Sequence, residues 1–234
     1  MLWEMLNAAR DLGRVHDIAS VLIRYGFGSF VRVLGMGAAL ERAGRVLHWQ
    51  HTEEYVKLDT PQRIRRALED LGPTFIKLGQ ILATRVDLFS PQYIAEFEKL
   101  QDQAPPVPFE DLLAQIEEDI GGSIDEIFSE VDRQPLAAAS IAQVHKAVLI
   151  DGTRVILKIR RPGLRKIIEA DLRLLQRIVD IAESESPDIR RFHPSEILRQ
   201  FNQSLRRELD FAGECRNAER IAANLAGDLN IVIP

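Results

Sequence analysis

The segment Leu71-Gly-Pro-Thr-Phe-Ile-Lys-Leu-Gly-Gln-Ile-Leu-Ala-Thr-Arg-Val-Asp-Leu-Phe-Ser-Pro91 organises the predicted fold. Gly72-Pro73 predicts a helix start, because proline is tolerated in the first turn, where its missing N–H costs nothing. Lys77 and Gln80 are three residues apart and therefore share one face of this helix. Gly79 lies between them, although glycine costs about 1 kcal/mol relative to alanine in a helix. Two interpretations stay open: close approach to a backbone or ligand, or a snorkelling lysine beside a packing glycine.

Composition and charge describe an ordinary globular chain. The 234 residues are 46% hydrophobic and 28% charged, which suits one large or two small domains with a substantial core. The net charge of −5 argues against bulk attraction to nucleic acid. A single cysteine, Cys215, excludes an internal disulfide. No uncharged apolar run reaches the roughly 18 residues of a spanning helix, and the N-terminus lacks a signal-peptide pattern.

Residues 1–60 are predicted to be helical. Apolar residues recur there at spacings of three and four, at Leu12, Val15, Ile18, Val21, Leu22 and Tyr25. The pairs Gly26-Phe-Gly28 and Gly35-Met-Gly37 are interpreted as helix breaks, because no strand precedes either pair as a dinucleotide-binding loop requires. The same helices carry the basic residues Arg10, Arg14, Arg24 and Arg32, so contact with a membrane surface is an alternative to packing within the chain.

In the middle of the chain, predicted helices alternate with capping residues and a proline-rich linker. Thr60-Pro61 predicts the cap and first turn of a helix over 62–70, and Ser90 is expected to cap a helix from Pro91 to about residue 101. Three prolines in Ala104–Pro108 predict an extended linker. A helix over 109–120 and a short helical turn over 123–128 are expected to follow.

Strands are predicted only after this point. Their expected positions are 129–133, 141–150 and 154–160, with a loop over 135–140 and a tight Asp151-Gly152 hairpin turn in which both residues have positive φ. A helix over 164–184 should bury Ile167, Ala170, Leu174, Ile178 and Ile181. One long helix should run from Pro194 to about Ala226, and residues 230–234 should begin a further strand.

Charged residues supply the candidate chemistry. Lys158 ends Val155-Ile-Leu-Lys158 on the third predicted strand, as in the kinase pattern V-A-I-K, whose lysine holds nucleotide phosphates. Asp210 and Glu214 are four residues apart and repel each other unless solvated or approached by cations, for which Lys158 and Lys77 are candidates. The plainer alternatives are a strand lysine facing water and a solvated acidic face beside Arg206, Arg207 and Arg216.

The segment GPTFIKLGQ…TRVDLFSP resembles the KxGQ motif of the UbiB family of atypical kinases, also called aarF-domain kinases. The resemblance extends from about Thr60 to Pro234 and includes Glu208-Leu209-Asp210, which looks like the ExD motif of that family. It implies that Glu214 pairs with Lys158, and that Glu208 and Asp210 hold the KxGQ helix through Lys77 and Gln80.

The family also has alanine where ordinary kinases have a glycine-rich loop over the phosphates. Here that segment is Ala137-Ala138-Ala139-Ser140, and the resemblance implies altered nucleotide preference or restrained phosphoryl transfer. Alanine disfavours positive φ and so narrows the conformations of the loop. Backbone N–H groups of Ala138 to Ser140 remain candidates for a phosphate cradle.

The expected fold is therefore mostly helical α+β with a protein-kinase-like small lobe and a short antiparallel sheet. We predict an N-terminal helical extension over 1–60, a KxGQ segment with its proline-rich linker over 61–108, and the small lobe over 109–234. The sequence ends before a second lobe, so no catalytic-loop or DFG residue is expected. No catalytic residue or metal site is predicted here, because Mg²⁺ would need that missing lobe.

The resemblance implies the N-terminal part of a UbiB-like kinase or ATPase that binds ATP or ADP and supports ubiquinone or other isoprenoid-lipid biosynthesis. The expected location is cytoplasmic, peripheral to the inner membrane, with no transmembrane segment and no nucleic-acid partner. The alternative is a non-catalytic interaction module, a truncated or split product that docks on a second lobe, another protein or a membrane surface. A third class is a helical scaffold with no nucleotide role, for which all four motifs would be coincidental.

Overall fold

The computed structural model describes residues 9–42, 47, 57–100, 104–228, 230, 231 and 233. Helices dominate it, and the bounds of those described are α1 Ala9–Arg24, α2 Gly28–Val33, α3 Met36–Arg42, α4 Thr60–Leu71, α5 Pro73–Ala83, α6 Pro91–Phe97, α7 Phe109–Ile120, α8 Leu164–Glu185, α9 Pro187–Arg190, α10 Pro194–Glu208 and α11 Phe211–Leu225. One sheet contains β1 Phe128–Val131, β2 Ala137–Ala138, β3 Ala142–Leu149 and β4 Arg154–Arg160. A mostly helical α+β fold with a small antiparallel sheet is thus confirmed.

Most of the described part of the N-terminal region is helical, as predicted, whereas residues 47 and 57–59 are not. Gly26 and Gly35 have φ angles of 84° and 68°, so each glycine ends a helix in a conformation that other residues rarely adopt. Val15, Ile18 and Tyr25 of the predicted stripe are buried. The remainder of the predicted helical region, residues 1–8, 43–46 and 48–56, lies outside the described residues.

The junction between α4 and α5 follows local capping rules with one correction. Asp59, not Thr60, caps α4: its carboxylate accepts from the Gln62 N–H at 2.9 Å, and the Gln62 side chain accepts in return from the Asp59 N–H. Such a capping box satisfies two N–H groups that would otherwise lack partners at the helix start. Gly72, with φ of 93°, then turns the chain into α5, whose start at Pro73 is confirmed.

The segment between α5 and the sheet is close to prediction. α6 ends at Phe97, earlier than expected, and residues 101–103 of its predicted end lie outside the described residues. Ser90 is at the N-cap position but makes no side-chain capping bond. Residues 104–108 are extended, and a buried Gln143 holds them, because its amide donates to Val107 O at 3.1 Å and accepts from the Val107 N–H.

β3 is the central strand of the sheet. β4 pairs antiparallel along one edge of β3, with Val144 opposite Lys158, and β1 and β2 share the other edge. β2 was not predicted, so Lys158 lies on the fourth strand and not on the third. Only Gly152 of the hairpin dipeptide has positive φ, because the connection is longer than two residues: the Gly152 N–H donates to Leu149 O, and the Asp151 carboxylate accepts from the Thr153 N–H.

The buried face of α8 agrees with the prediction in part, because Leu174 is buried and Ile178 and Ile181 pack against the main core. Ile167 is 41% exposed, whereas Ile168 and Asp171 are buried at 2% and 0%. Asp171 can lie in the buried stripe because Arg14 of α1 pairs with it. The Arg14 Nε lies 2.6 Å from the Asp171 Oδ1, and the same guanidinium donates to Leu71 O at 2.6 Å. Burial raises the pKa of the Asp171 carboxyl, and the Arg14 side chain opposes that rise. A search for apolar residues alone therefore misses Asp171 and wrongly includes Ile167.

The long C-terminal helix was predicted as one element, but it is two. α10 ends at Glu208 and α11 begins at Phe211, because the Asp210 carboxylate accepts from the Gly213 N–H at 2.8 Å and caps the second helix. The predicted strand over 230–234 is wrong where it can be judged, since residues 230, 231 and 233 adopt no strand and residues 232 and 234 lie outside the described residues.

The main core cluster joins the N-terminal helices to α4, α5, α8 and α10, with Val15, Phe75 and Phe201 among its buried members. A smaller cluster packs α7 against β4 through Phe109, Leu112 and Ile159. In the part of the chain that the structure describes, no helix combines the length and apolarity needed to cross a bilayer.

Candidate functional site

A cleft of about 550 Å³ lies between the sheet and helices α5, α10 and α11. Charged side chains from these separate elements face it, together with small and apolar residues. The full lining is Lys77, Ala139, Ile141, Ala142, Lys158, Ser204, Arg207, Glu208, Asp210, Phe211, Gly213, Glu214 and Asn217.

Lys158 reaches this cleft from β4 and meets Glu214 of α11. The distance from Nζ to the Glu214 Oε2 is 2.6 Å, and the two side chains are 39% and 61% exposed. The Lys158 Nζ also lies 4.7 Å from the centre of the Phe211 ring, where an ammonium is attracted to the π face. The structure therefore brings together the pair that the resemblance implies, and an aromatic residue that the sequence did not indicate supports it.

A second ion pair at the cleft joins α5 and α10. Lys77 of α5 lies 3.2 Å from Glu208 Oε1, and the lysine side chain is only 18% exposed. Its neighbours Phe75 and Ile76 are buried in the core, which fixes the helix that presents the ammonium group. Lys77 and Glu208 thus meet, as predicted.

Gln80 and Asp210 have other partners than those implied. Gln80 Nε2 donates to Leu100 O at 3.1 Å, so this amide ties α5 to the end of the segment that follows α6. Asp210 accepts from the Gly213 N–H and lies 3.6 Å from Arg216. Of the predicted contacts between α5 and the acidic residues, the ion pair of Lys77 and Glu208 is therefore observed.

Of the alanine segment, Ala139 alone lines the cleft. Ala137 and Ala138 form β2 opposite Val144 and Gln143, and Ser140 is 1% exposed. The Ala139 N–H donates to Ala142 O at 2.8 Å, so it is engaged within the turn and does not point freely at a ligand.

Arg161 holds the turn at Ala139 in place by hydrogen bonds to backbone carbonyl groups. Its Nε donates to Ala139 O and its Nη2 to Pro105 O, each at 2.8 Å. A guanidinium that binds two carbonyl oxygens holds the alanine turn and the proline-rich linker in one arrangement. The alanine segment is thus a fixed wall of the cleft, a feature that only the folded chain reveals.

Ser204, Arg207, Phe211 and Asn217 were not singled out as site residues from the sequence. Ser204 and Glu208 are four residues apart on α10, so helical spacing from Glu208 is a signal that finds it. Phe211 precedes Glu214 by three residues, which is the same kind of signal. In the part of the chain described, no group of three or more metal-ligating side chains converges.

Known proteins with similar sequences have been assigned to a kinase-like family. A family model described as "ABC1 atypical kinase-like domain" matches residues 99–234, which is more than half of the chain. The "Probable protein kinase UbiB" of Aliivibrio fischeri (strain MJ11) is 37% identical over 227 residues, which is 96% of this chain and 41% of that protein. The protein of the same description from Pseudomonas aeruginosa (strain LESB58) is 38% identical over 94% of this chain and 42% of its own length.

The chain thus spans about two-fifths of the length of these curated relatives. The solved complex of Rv3197 and erythromycin from Mycobacterium tuberculosis is 32% identical and covers 63% of this chain and 36% of its own, with a TM-score of 0.41. That score is too low to support structural conclusions. The match over residues 99–234 shows that the chain belongs to the ABC1 atypical kinase-like family, and UbiB proteins are among its relatives.

Proposed function

We propose that this chain forms the nucleotide-phosphate pocket of a UbiB-like atypical kinase or ATPase that supports ubiquinone or other isoprenoid-lipid biosynthesis. The observation that carries the proposal is that Lys158 and Lys77, from a strand and a helix far apart in the chain, face one cleft and are each held by a carboxylate. The ligand is ADP or ATP. Mg²⁺ would rest on the nucleotide and on residues of a second lobe.

The pairs suit phosphate binding because each carboxylate holds its ammonium group in position at the cleft. Ion pairs as exposed as Lys158 and Glu214 contribute only about 0–1 kcal/mol, so Lys158 can exchange its carboxylate partner for a phosphate oxygen at small cost. The cleft, at about 550 Å³, is within the usual size range of ligand pockets.

The wider proposal keeps the three segments 1–60, 61–108 and 109–234 as extension, KxGQ segment and small lobe. It places the protein in the cytoplasm at the surface of the inner membrane. Phosphoryl transfer belongs to the longer relatives and requires the catalytic-loop and DFG residues of a second lobe.

One observation favours the alternative of a non-catalytic interaction module. Helix α11 has no buried residue, and its Ile221 and Leu225 are 47% and 36% exposed. An amphipathic helix with no fully buried residue within the described chain offers apolar area to a partner. Nucleotide binding discriminates between the two functions, because the interaction module has no need of the paired lysines.

Thermal unfolding with and without ADP tests the pocket. At a ligand concentration about 100-fold above Kd, binding adds about 2.7 kcal/mol to stability. For a chain of this size we therefore expect saturating ADP to raise the Tm of the wild type by about 5 to 10 °C. Lys158→Ala should lose most of this shift, because the phosphates lose their strand ammonium group.

Lys166→Ala is the matched control, since Lys166 is an exposed lysine on α8 that does not line the cleft. Its ADP-induced shift should equal that of the wild type. Equal shifts in Lys158→Ala and the wild type, or no shift in either, would exclude the proposed pocket and leave the interaction module as the better function.

A further inference from the structure

We propose that Arg207, on the last turn of α10, is the pre-formed phosphate-binding cation of the cleft, and that it recognises the diphosphate group shared by nucleotides. The proposal rests on the proposed nucleotide function and goes beyond it, since neither the motifs nor the predicted ion pairs include this residue. Arg207 is exposed and lines the same cleft as Lys77 and Lys158.

The distribution of charge singles out Arg207. Three cations and three carboxylates line the cleft, but they are not all paired with one another. Glu214 neutralises Lys158, and Glu208 neutralises Lys77. The third carboxylate, Asp210, lies 3.6 Å from Arg216, which is outside the lining. Among the residues that the structure describes, no carboxylate forms an ion pair with Arg207, so this guanidinium is the cation of the cleft whose charge no direct partner compensates.

An unpaired cation is the better first contact for an anion. A phosphate that binds Lys158 or Lys77 must displace a carboxylate, or leave that carboxylate repelling the ligand at close range. Arg207 requires no such displacement. Its planar guanidinium also presents a fork of donors that matches two phosphate oxygens at once, whereas each ammonium group acts as a point charge.

The backbone fixes the position of Arg207 at the end of α10. The Asp210 N–H donates to Arg207 O at 3.2 Å where the helix stops. The following residue, Glu208, is bound to Lys77 on the facing helix, which keeps this turn against the cleft. Arg207 is therefore presented by a fixed helix end to the same cleft as the two paired lysines.

The ligand class follows from these contacts. A guanidinium that meets phosphate oxygens does not read the base, so the inference concerns oligophosphate recognition and not base selectivity. Removal of Arg207 should weaken ADP and inorganic pyrophosphate by a similar factor. A charge-assisted hydrogen bond in a half-open cleft corresponds to a loss of about five- to tenfold.

Isothermal titration of ADP and of pyrophosphate into the wild type, Arg207→Gln and Arg206→Gln tests this. Arg206 is the matched control, because it precedes Arg207 on the same helix, is also exposed, and donates to Asn202 Oδ1 at 2.8 Å outside the cleft lining. We expect Arg207→Gln to raise both Kd values about five- to tenfold and to reduce their salt dependence. Arg206→Gln should stay within twofold of the wild type.

The possible outcomes separate this inference from the function on which it rests. ADP binding by the wild type with an unchanged Kd in Arg207→Gln would overturn the role of Arg207 and leave the nucleotide pocket intact. A weakened ADP Kd with an unchanged pyrophosphate Kd would overturn phosphate recognition as its cause. Absence of ADP binding by the wild type would overturn both. Far-UV circular dichroism and the unfolding midpoint of each variant establish that the folds are equal.

Discussion

At the scale of single residues, Gly79 shows why a helix tolerates a poor helix former. A Cβ at this position would overlap Leu100 Cδ1 and lie 2.9 Å from Leu68 Cδ1. The next residue, Gln80, donates to Leu100 O. The glycine therefore permits α5 to pack against α4 and the end of the α6 segment, and the packing interpretation of the motif accounts for it without a ligand.

Gly79→Ala should destabilise the protein in spite of its better helix propensity. Alanine gains about 1 kcal/mol in a helix interior, but overpacking a well-filled core costs about 1–3 kcal/mol. We expect a net loss of up to about 2 kcal/mol in the free energy of unfolding, measured by urea denaturation.

The double variant Gly79→Ala/Leu100→Ala distinguishes overlap from other causes. Removing the Leu100 side chain opens the space that the new methyl group needs, so the two changes should be less harmful together than the sum of their separate costs. Strict additivity would show that contact with Leu100 is not the reason for the glycine.

At the scale of elements, the break between α10 and α11 determines where the acidic residues point. Asp210 lies between the two helices, so Glu208 and Glu214 do not belong to one continuous helix. The Asp210 carboxylate caps α11 by accepting from the Gly213 N–H. The break allows Glu208 to meet α5 while Glu214 meets β4. The two ion pairs of the cleft thus depend on a helix cap.

Asp210→Ala should therefore loosen the start of α11, whereas Asp210→Asn should not. Loss of an N-cap side chain costs about 1 kcal/mol, and asparagine caps as well as aspartate. Amide hydrogen exchange of residues 213–217 is the measurement: we expect faster exchange in the alanine variant and near wild-type exchange in the asparagine variant. Equal acceleration in both variants would mean that the negative charge of Asp210, and not its cap, holds the helix.

At the scale of the whole molecule, one buried ion pair connects the three predicted segments. Arg14 belongs to the N-terminal extension, Leu71 to the KxGQ segment and Asp171 to the small lobe, and the Arg14 guanidinium binds both of the others. Asp171 is fully buried, while the Arg14 side chain is 19% exposed. The main core cluster likewise takes side chains from all three segments.

Asp171→Ala should destabilise the whole chain and not one segment. Removing one partner of a buried pair leaves the other charge uncompensated, at a cost of about 3 kcal/mol. We expect Asp171→Ala to unfold in one cooperative transition whose midpoint lies at a lower urea concentration than that of the wild type. Asp180→Ala, an exposed residue on the same helix that accepts from Gln176, should change stability by less than about 0.5 kcal/mol. Two separate transitions in Asp171→Ala would show that the segments unfold independently.

The asparagine variant at the same position tests the balance of burial against charge. Because burial raises the pKa of Asp171 above its ordinary value, the folded state binds this proton more tightly than the unfolded state. That contribution to stability is present below about pH 4 and is lost as pH rises through the raised pKa. The stability of Asp171→Asn relative to the wild type should therefore increase with pH, and a decrease would mean that Arg14 outweighs burial.

The sequence by itself determined most of the elements and the family. Turn residues, caps and periodicity act between near neighbours, so the bounds of the helix over 109–120 and the strand over 154–160 followed directly from the residues. The motif around Lys77 likewise identified the family, and the partners of Lys77 and Lys158 followed from the resemblance.

The tertiary structure alone decided which charges remain unpaired and which faces are buried. Asp171 joined a buried stripe because Arg14 comes from a distant helix, Gln80 turned to Leu100, and Asp210 became a cap. Arg207 was left as the cleft cation without an ion pair among the described residues. The physical reason is that a charge is satisfied by whatever lies within a few ångströms in space, and packing between distant segments sets those neighbours.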